Sequence, residues 1–187
     1  MKILFLALLM LLPLDANAGD LPPDSVLQTG GTFTDQDGTA FRLASRQGKA
    51  QIVAMFYTSC QYICPLIIDS AKGVEHALSE SERGGLRVLL ISLDAERDSP
   101  AVLRAVSRER HLDTARWTLA HTDADGVRNT AAVLGIRYRQ LEGGDFNHTS
   151  AMILLDRSGR IVARTENLGP VPDPDFLAAV KRTLAQP

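Results

Sequence analysis

Cysteine is scarce: the 187 residues contain two, Cys60 and Cys64. A bridge between cysteines so close in sequence closes too small a loop to remove much chain entropy, so a purely structural disulfide is weakly motivated. An excess of charge of either sign is also absent. The formal net charge is −2, which makes nucleic acid and an anionic membrane surface poor partners. Long apolar runs are missing too. The longest candidate, Ile3 to Leu14, falls short of the ~18–20 residues a membrane span needs. There is no internal repeat and no low-complexity segment, and Gly38, Gly85 and Gly159 sit at turns without forming a phosphate-binding fingerprint.

The N-terminal run has the make-up of an export signal. Lys2 supplies a positive start, Ile3 to Leu14 is mostly apolar, and Ala16-Asn17-Ala18 is an A-x-A cleavage site. Residues 1–18 are therefore expected to be a signal peptide and residues 19–187 a single domain in an exported compartment, most simply a periplasm. No cysteine follows the cleavage site, which excludes a lipid anchor there.

What the chain does have is a cysteine-bearing stretch, Met55 to Pro65, behind an apolar run. Gln51 to Tyr57 is apolar on both faces and reads as a central, buried strand. Pro65 follows Cys64 at once. Proline suits a first helical position, and the residue before it is pushed out of helical geometry. A helix is expected from Pro65 to about Glu80, with both cysteines in the loop that enters it. Thiols beside a helix N-terminus are favoured as thiolates, the form that acts as nucleophile and as metal ligand. Such a loop can close a disulfide or hold a metal between its sulfurs.

Around this stretch the pattern alternates. Asp37-Gly38 marks a turn in a hairpin over Gly31 to Leu43. Leu86 to Leu93 is a second buried strand. Ser99 and Pro100 open a helix with Val102, Leu103 and Val106 facing inward. Trp117 to Ala120 is a short strand, Asp123 caps a helix ending near Gly135, and Ile136 to Leu141 is another possible strand. Gly143 to Ser150 reads as a loop. Ala151 to Leu155 and Arg160 to Arg164 form a second hairpin, and Asp173 caps a last helix to about Ala185. Strands alternating with helices imply a parallel sheet core, and the late hairpin makes the sheet mixed. A cysteine pair between a strand and its helix in this α/β setting points to a thioredoxin-like fold, a mixed central sheet flanked by helices with an N-terminal β-hairpin.

Four histidines are present. His76 falls on the polar face of its helix, His111 lies among polar residues, and His121 sits beside the Thr122-Asp123 capping signal, so each reads as an ordinary residue. His148 differs. It precedes the strand at Ala151, in the loop that faces the cysteines in a thioredoxin-like sheet. Met55 and Met152 could be soft ligands, but both fall in strands and read as core.

Taken together, Asp35-Gln36-Asp37-Gly38, Cys60-x3-Cys64-Pro65, the segment Ser92-Leu93-Asp94 to Pro100, and His148-Thr149-Ser150 with Asp156 to Gly159 resemble the Sco (SenC/PrrC) family of copper-binding, thioredoxin-like proteins. The resemblance runs over most of the chain. It implies Cys60, Cys64 and His148 as copper ligands, a soft thiolate pair for Cu(I) and an imidazole that suits either oxidation state. It implies a copper metallochaperone rather than a turnover enzyme, delivering to an oxidase subunit or another periplasmic copper protein for copper-centre assembly in cytochrome c oxidase. The expected state is a soluble monomer, since the family's usual membrane anchor is missing. Gln61 and Tyr62 replace the Pro and Asp often found between the family's cysteines, and Ala95 replaces a usual proline.

The alternative is a thiol–disulfide oxidoreductase with Cys60 and Cys64 as its redox pair, acting on an exported or oxidase-subunit partner. Against ordinary thioredoxin chemistry, no proline precedes the strand at Ala151. A peroxiredoxin fits less well, because position 54 is Ala and Thr58 stands too close to Cys60. A catalytic zinc site of two cysteines and one histidine is allowed by ligand type, but no general base accompanies it.

Overall fold

The computed structural model describes residues 20–60 and 63–186. The signal peptide expected over residues 1–18, and Gln61 and Tyr62 between the cysteines, lie outside the described residues. Among the described residues no helix is long and apolar enough to cross a membrane.

The strands are β1 (Phe33–Asp35), β2 (Ala40–Phe41), β3 (Ala50–Phe56), β4 (Leu86–Ser92), β5 (Trp117–His121), β6 (Tyr138–Gln140), β7 (Phe146–His148), β8 (Met152–Leu155) and β9 (Ile161–Thr165). The helices are α1 (Ile63–His76), α2 (Glu80–Gly85), α3 (Pro100–Glu109), α4 (Ala124–Val133) and α5 (Pro174–Ala185). Seven strands form one sheet in the order β2-β1-β5-β4-β3-β8-β9, and β6 and β7 form a separate two-stranded ribbon. β3 pairs parallel with β4, and β4 parallel with β5, while β8 runs antiparallel to β3. The sheet is thus mixed and flanked by helices, with α1 against β3, α3 against β5 and α5 against β9.

The middle of the sheet is dry because its strands are apolar on both faces. Every residue of β3 is buried, as is all of β8. The single polar side chain in β3, Gln51, is fully buried and accepts from Arg46 Nε at 2.7 Å while donating to its carbonyl at 3.1 Å. Met55 and Met152 are core residues, each 1% exposed.

Helix α1 is tied across to β5 by a buried carboxylate. Glu75 accepts from the Trp117 indole Nε1 at 2.6 Å and from Arg116 Nε at 3.0 Å. Glu75→Ala would leave both donors without that acceptor, which costs about 2–3 kcal/mol for hydrogen bonds to a charged group. The melting temperature is expected to fall by roughly 4–12 °C, and an unchanged thermal transition would show that the tie contributes nothing. At Gly73, on another face of α1, a Cβ would stand 2.5 Å from the carbonyl oxygen of Pro170, so glycine is what lets the rigid Pro170–Pro174 loop lie on the helix.

Several expectations are corrected. Helix α1 includes Ile63 and Cys64 rather than starting at Pro65; Pro65 still lies in the first turn, where its missing N–H has no intrahelical partner to lose. The helix does not run to Glu80. Ser79 and Glu82 form a reciprocal capping box that starts the separate helix α2. Val102 faces solvent at 37% exposure, and Ser107 is buried instead. The segment 143–150 is not a plain loop: Phe146–His148 forms β7 and pairs antiparallel with β6. The strand expected over Ile136 to Leu141 is reduced to Tyr138–Gln140.

Candidate metal centre

Strand β3 delivers its chain to the site through Tyr57 and Thr58. A turn follows, in which the Cys60 N–H reaches the Tyr57 carbonyl at 3.4 Å. Asp98, 1% exposed in the loop between β4 and α3, holds that turn from below. Its Oδ2 accepts from the Thr58 backbone N at 3.0 Å and from Ser92 Oγ at 2.5 Å, and its Oδ1 accepts from the Thr58 hydroxyl. Asp94 holds the same loop in shape. It accepts from the Arg97 backbone N at 3.0 Å and pairs with the Arg97 guanidinium. That guanidinium also donates to the Gly144 carbonyl in the β6–β7 connection.

The two cysteines are brought together and no disulfide joins them. The Cys64 backbone N–H points at Cys60 Sγ, and the Tyr57 backbone N–H at Cys64 Sγ, each at 3.4 Å. Cys60 is half-buried and Cys64 is 3% exposed. Both line a cavity of about 120 Å³ with Tyr57, Ile68, Val106 and Arg110. Their nearness to a helix start does not make Cys64 acidic. Burial pushes its thiol well above the ordinary thiol range, and the Tyr57 backbone N–H offsets that only in part. A soft cation that binds there must therefore displace a proton.

His148 occupies a separate cleft of about 530 Å³, with Arg137, Tyr138, Asn147 and Thr149. Its Nδ1 lies 3.1 Å from the Thr149 carbonyl oxygen. A carbonyl only accepts, so Nδ1 carries the proton and Nε2 presents its lone pair. That Nε2 is buried and has no hydrogen-bond partner. Burial also lowers the His148 pKa, with the Thr149 contact acting the other way. The ring is held as the neutral imidazole a metal requires, with the donor nitrogen bare and the other nitrogen oriented by a carbonyl.

The thiols and His148 do not form one cluster. Among the described residues no group of three or more His, Cys, Asp or Glu side chains stands close enough to hold a metal ion. Tyr57 touches both sides. Its ring lies edge-on to Phe146, centroids 5.3 Å apart, and edge-on to His148 at 5.9 Å. Its hydroxyl donates to the Phe146 carbonyl at 3.3 Å. Burial raises the Tyr57 phenol, and the neighbouring Cys60 thiol, to which it hydrogen-bonds, adds to the rise. Sequence reasoning did not single out Tyr57, Arg97 or Asp98. Arg97 and Asp98 were marked only by lying in the segment Ser92 to Pro100 and Tyr57 only by ending a buried strand, because the partners that bring them to the site, Gly144, Thr58 and Phe146, are remote in the chain. His76 and His111 are exposed and His121 ends β5 opposite Thr34, so none of them joins the site.

The SCO1/SenC family model matches residues 23–185. The SCO1 protein homolog of Bacillus subtilis is 24% identical over 153 residues, covering 80% of this chain and 79% of that protein. The copper-bound ScoI of Bradyrhizobium japonicum superposes with a TM-score of 0.68 at 24% identity, over 82% of this chain and 96% of that one. BsSco, described as a member of the Sco family of cytochrome c oxidase assembly proteins with a disulfide switch, superposes with a TM-score of 0.70 at 22% identity, over 85% of this chain and 94% of that one. The superpositions establish a shared thioredoxin-like fold.

Proposed function

The chain belongs to the SCO1/SenC family, and we propose that it is a Sco-type copper chaperone that carries copper on Cys60 and Cys64, with His148 as a third ligand, for assembly of a copper centre in cytochrome c oxidase. The observation that supports this most is the sulfur pair, two adjacent thiols held by backbone N–H groups and lining one small cavity. Soft sulfur donors select Cu(I), and two of them suffice for it. Cu(II) prefers nitrogen as well, and His148 offers a bare, buried Nε2. Copper is cargo here. Copper-bound ScoI is a solved relative of the same fold, which supports copper over zinc for this donor set. A cleaved leader over residues 1–18, a single domain over residues 19–187 and delivery in the periplasm belong to the same proposal and rest on the leader pattern.

The test is an anaerobic Cu(I) competition titration of the reduced protein against a chelator of known affinity. One tightly held equivalent supports the chaperone, and no binding by folded, reduced protein overturns it. For the third ligand, His148→Ala is expected to weaken Cu(II) binding by at least about tenfold to a hundredfold, the scale of losing even an indirect metal contact. Unchanged Cu(II) affinity would remove His148 from the ligand set.

A second reading is favoured by the unequal exposure of the two thiols. Cys60 reaches the surface and Cys64 does not, the arrangement of an attacking and a resolving thiol. Cys60 would attack a partner disulfide and displace one partner thiolate. Cys64 would then displace the other, leaving a Cys60–Cys64 disulfide and two reduced partner cysteines. His148 has no part in that exchange, so His148→Ala should keep it while losing Cu(II).

A further inference from the structure

The chaperone reading assigns three donors, two for Cu(I) and a third for Cu(II), and the structure holds them as two plus one. The β6–β7 ribbon that carries His148 is not part of the seven-stranded sheet. It is attached to the body through Tyr57, and through Arg97, whose guanidinium donates to Gly144. Tyr57 grips the ribbon in three ways: edge-on against Phe146, edge-on against His148, and through its hydroxyl to the Phe146 carbonyl. The same side chain lines the cavity of Cys60 and Cys64, whereas His148 lines a different cleft. In this arrangement His148 Nε2 is buried without a partner, an unfavourable state for a polar atom that a metal ion would relieve.

We propose that Tyr57 sets the oxidation-state preference of the copper site, by holding His148 apart from the two thiols so that an ion satisfied by two sulfurs binds readily and an ion that needs the imidazole must first displace the Tyr57 contacts. This rests on the copper reading above. Tyr57 is a positioning residue that acts through His148. It biases the protein toward Cu(I) without being a ligand: its contact with the Cys60 thiol is met by either ion and cancels in their ratio, whereas only an ion that recruits His148 has to break the edge-on ring contacts and the hydroxyl-to-carbonyl bond.

The experiment compares the full chain with Tyr57→Leu and Tyr57→Phe, measuring Cu(I) and Cu(II) affinities by competition and nitrogen coordination by electron paramagnetic resonance. Leucine removes both the ring contacts and the hydroxyl. The affinity for Cu(II) relative to Cu(I) is expected to rise about tenfold, the scale of an aromatic pair and one net hydrogen bond. That ratio lowers the reduction potential of the bound copper by about 59 mV for a one-electron couple. Phenylalanine keeps the ring and is expected to move the ratio in the same direction by about threefold; it carries the test if the leucine variant does not fold. In Tyr57→Leu combined with His148→Ala the gain should vanish, which a merely structural effect on the thiols would not do. A ratio that stays level or falls, with Cu(I) still bound, overturns this inference alone and makes Tyr57 an aligner of the imidazole. A parent protein that binds no Cu(I) overturns the copper reading and this inference with it.

Discussion

Cys60→Ser is expected to lose the tightly held Cu(I) equivalent, with affinity falling by at least about a hundredfold, the upper end of what losing even an indirect metal contact costs. A serine hydroxyl is a hard donor that does not ionise near neutral pH, so the variant keeps one sulfur where linear or bent Cu(I) coordination needs two. Cys64→Ser should lose Cu(I) to the same extent and should also lower the melting temperature, because Cys64 is 3% exposed and its sulfur accepts from the Tyr57 backbone. The pH dependence has a definite sign. Burial holds the Cys64 thiol protonated through neutral pH, so binding releases that proton and the apparent Cu(I) affinity should rise as the pH is raised. Retention of the Cu(I) equivalent by Cys60→Ser, in the same chelator competition, would mean that the metal sits elsewhere.

Asp98→Ala is expected to be the most destabilising single change near the site. The carboxylate is 1% exposed and accepts from the Thr58 backbone N, the Thr58 hydroxyl and the Ser92 hydroxyl. Alanine leaves these donors in a buried place without an acceptor, at a cost of about 3 kcal/mol or more. For a chain of this size that lowers the melting temperature by roughly 6–12 °C. Asp98→Asn keeps the shape and one acceptor oxygen but turns an NH₂ group toward existing donors, so an intermediate loss is expected. Circular dichroism melts of the parent and both variants decide the matter. A shift below about 1 °C for the alanine variant would show that the cysteine turn is held by other means. The consequence for function follows from geometry: Thr58 lies two residues before Cys60, so a loosened turn costs the sulfur pair its preset arrangement.

Much of this was legible from local pattern. β3 and β4 are predominantly apolar, broken near their starts by Gln51 and Arg87, and they appear as the central parallel pair. Capping residues with short-range hydrogen bonds marked their helices well, as Ser99, Asp123 and Asp173 did. The same chemistry at Ser79 and Glu82 was present in the sequence and divides what reads as one helix into α1 and α2. Less legible was the segment 143–150. Its glycines and polar residues are those of a loop, but Tyr138↔His148 and Gln140↔Phe146 pairing makes it half of a ribbon. Short, half-exposed strands carry too little apolar signal to be distinguished from loops.

The sequence by itself determined the family, most of the order of elements and the two cysteines as candidate sulfur donors, because each of these is written in residues close together in the chain: the Cys60-x3-Cys64-Pro65 spacing, the alternation of strands and helices, and the turn and cap residues between them. Only the tertiary structure decided how the site is arranged. Burial, which depends on what packs over a residue, pushes the Cys64 thiol up against the effect expected of a helix start. The acid that holds the cysteine turn is 40 residues away from Thr58 in sequence. His148 comes from a distant part of the chain and stands apart from the thiols, its ring edge-on to Tyr57, whose hydrogen-bond partner in the ribbon lies 89 residues on. Contacts between such distant residues depend on how the sheet and its ribbon pack, and no local pattern encodes them.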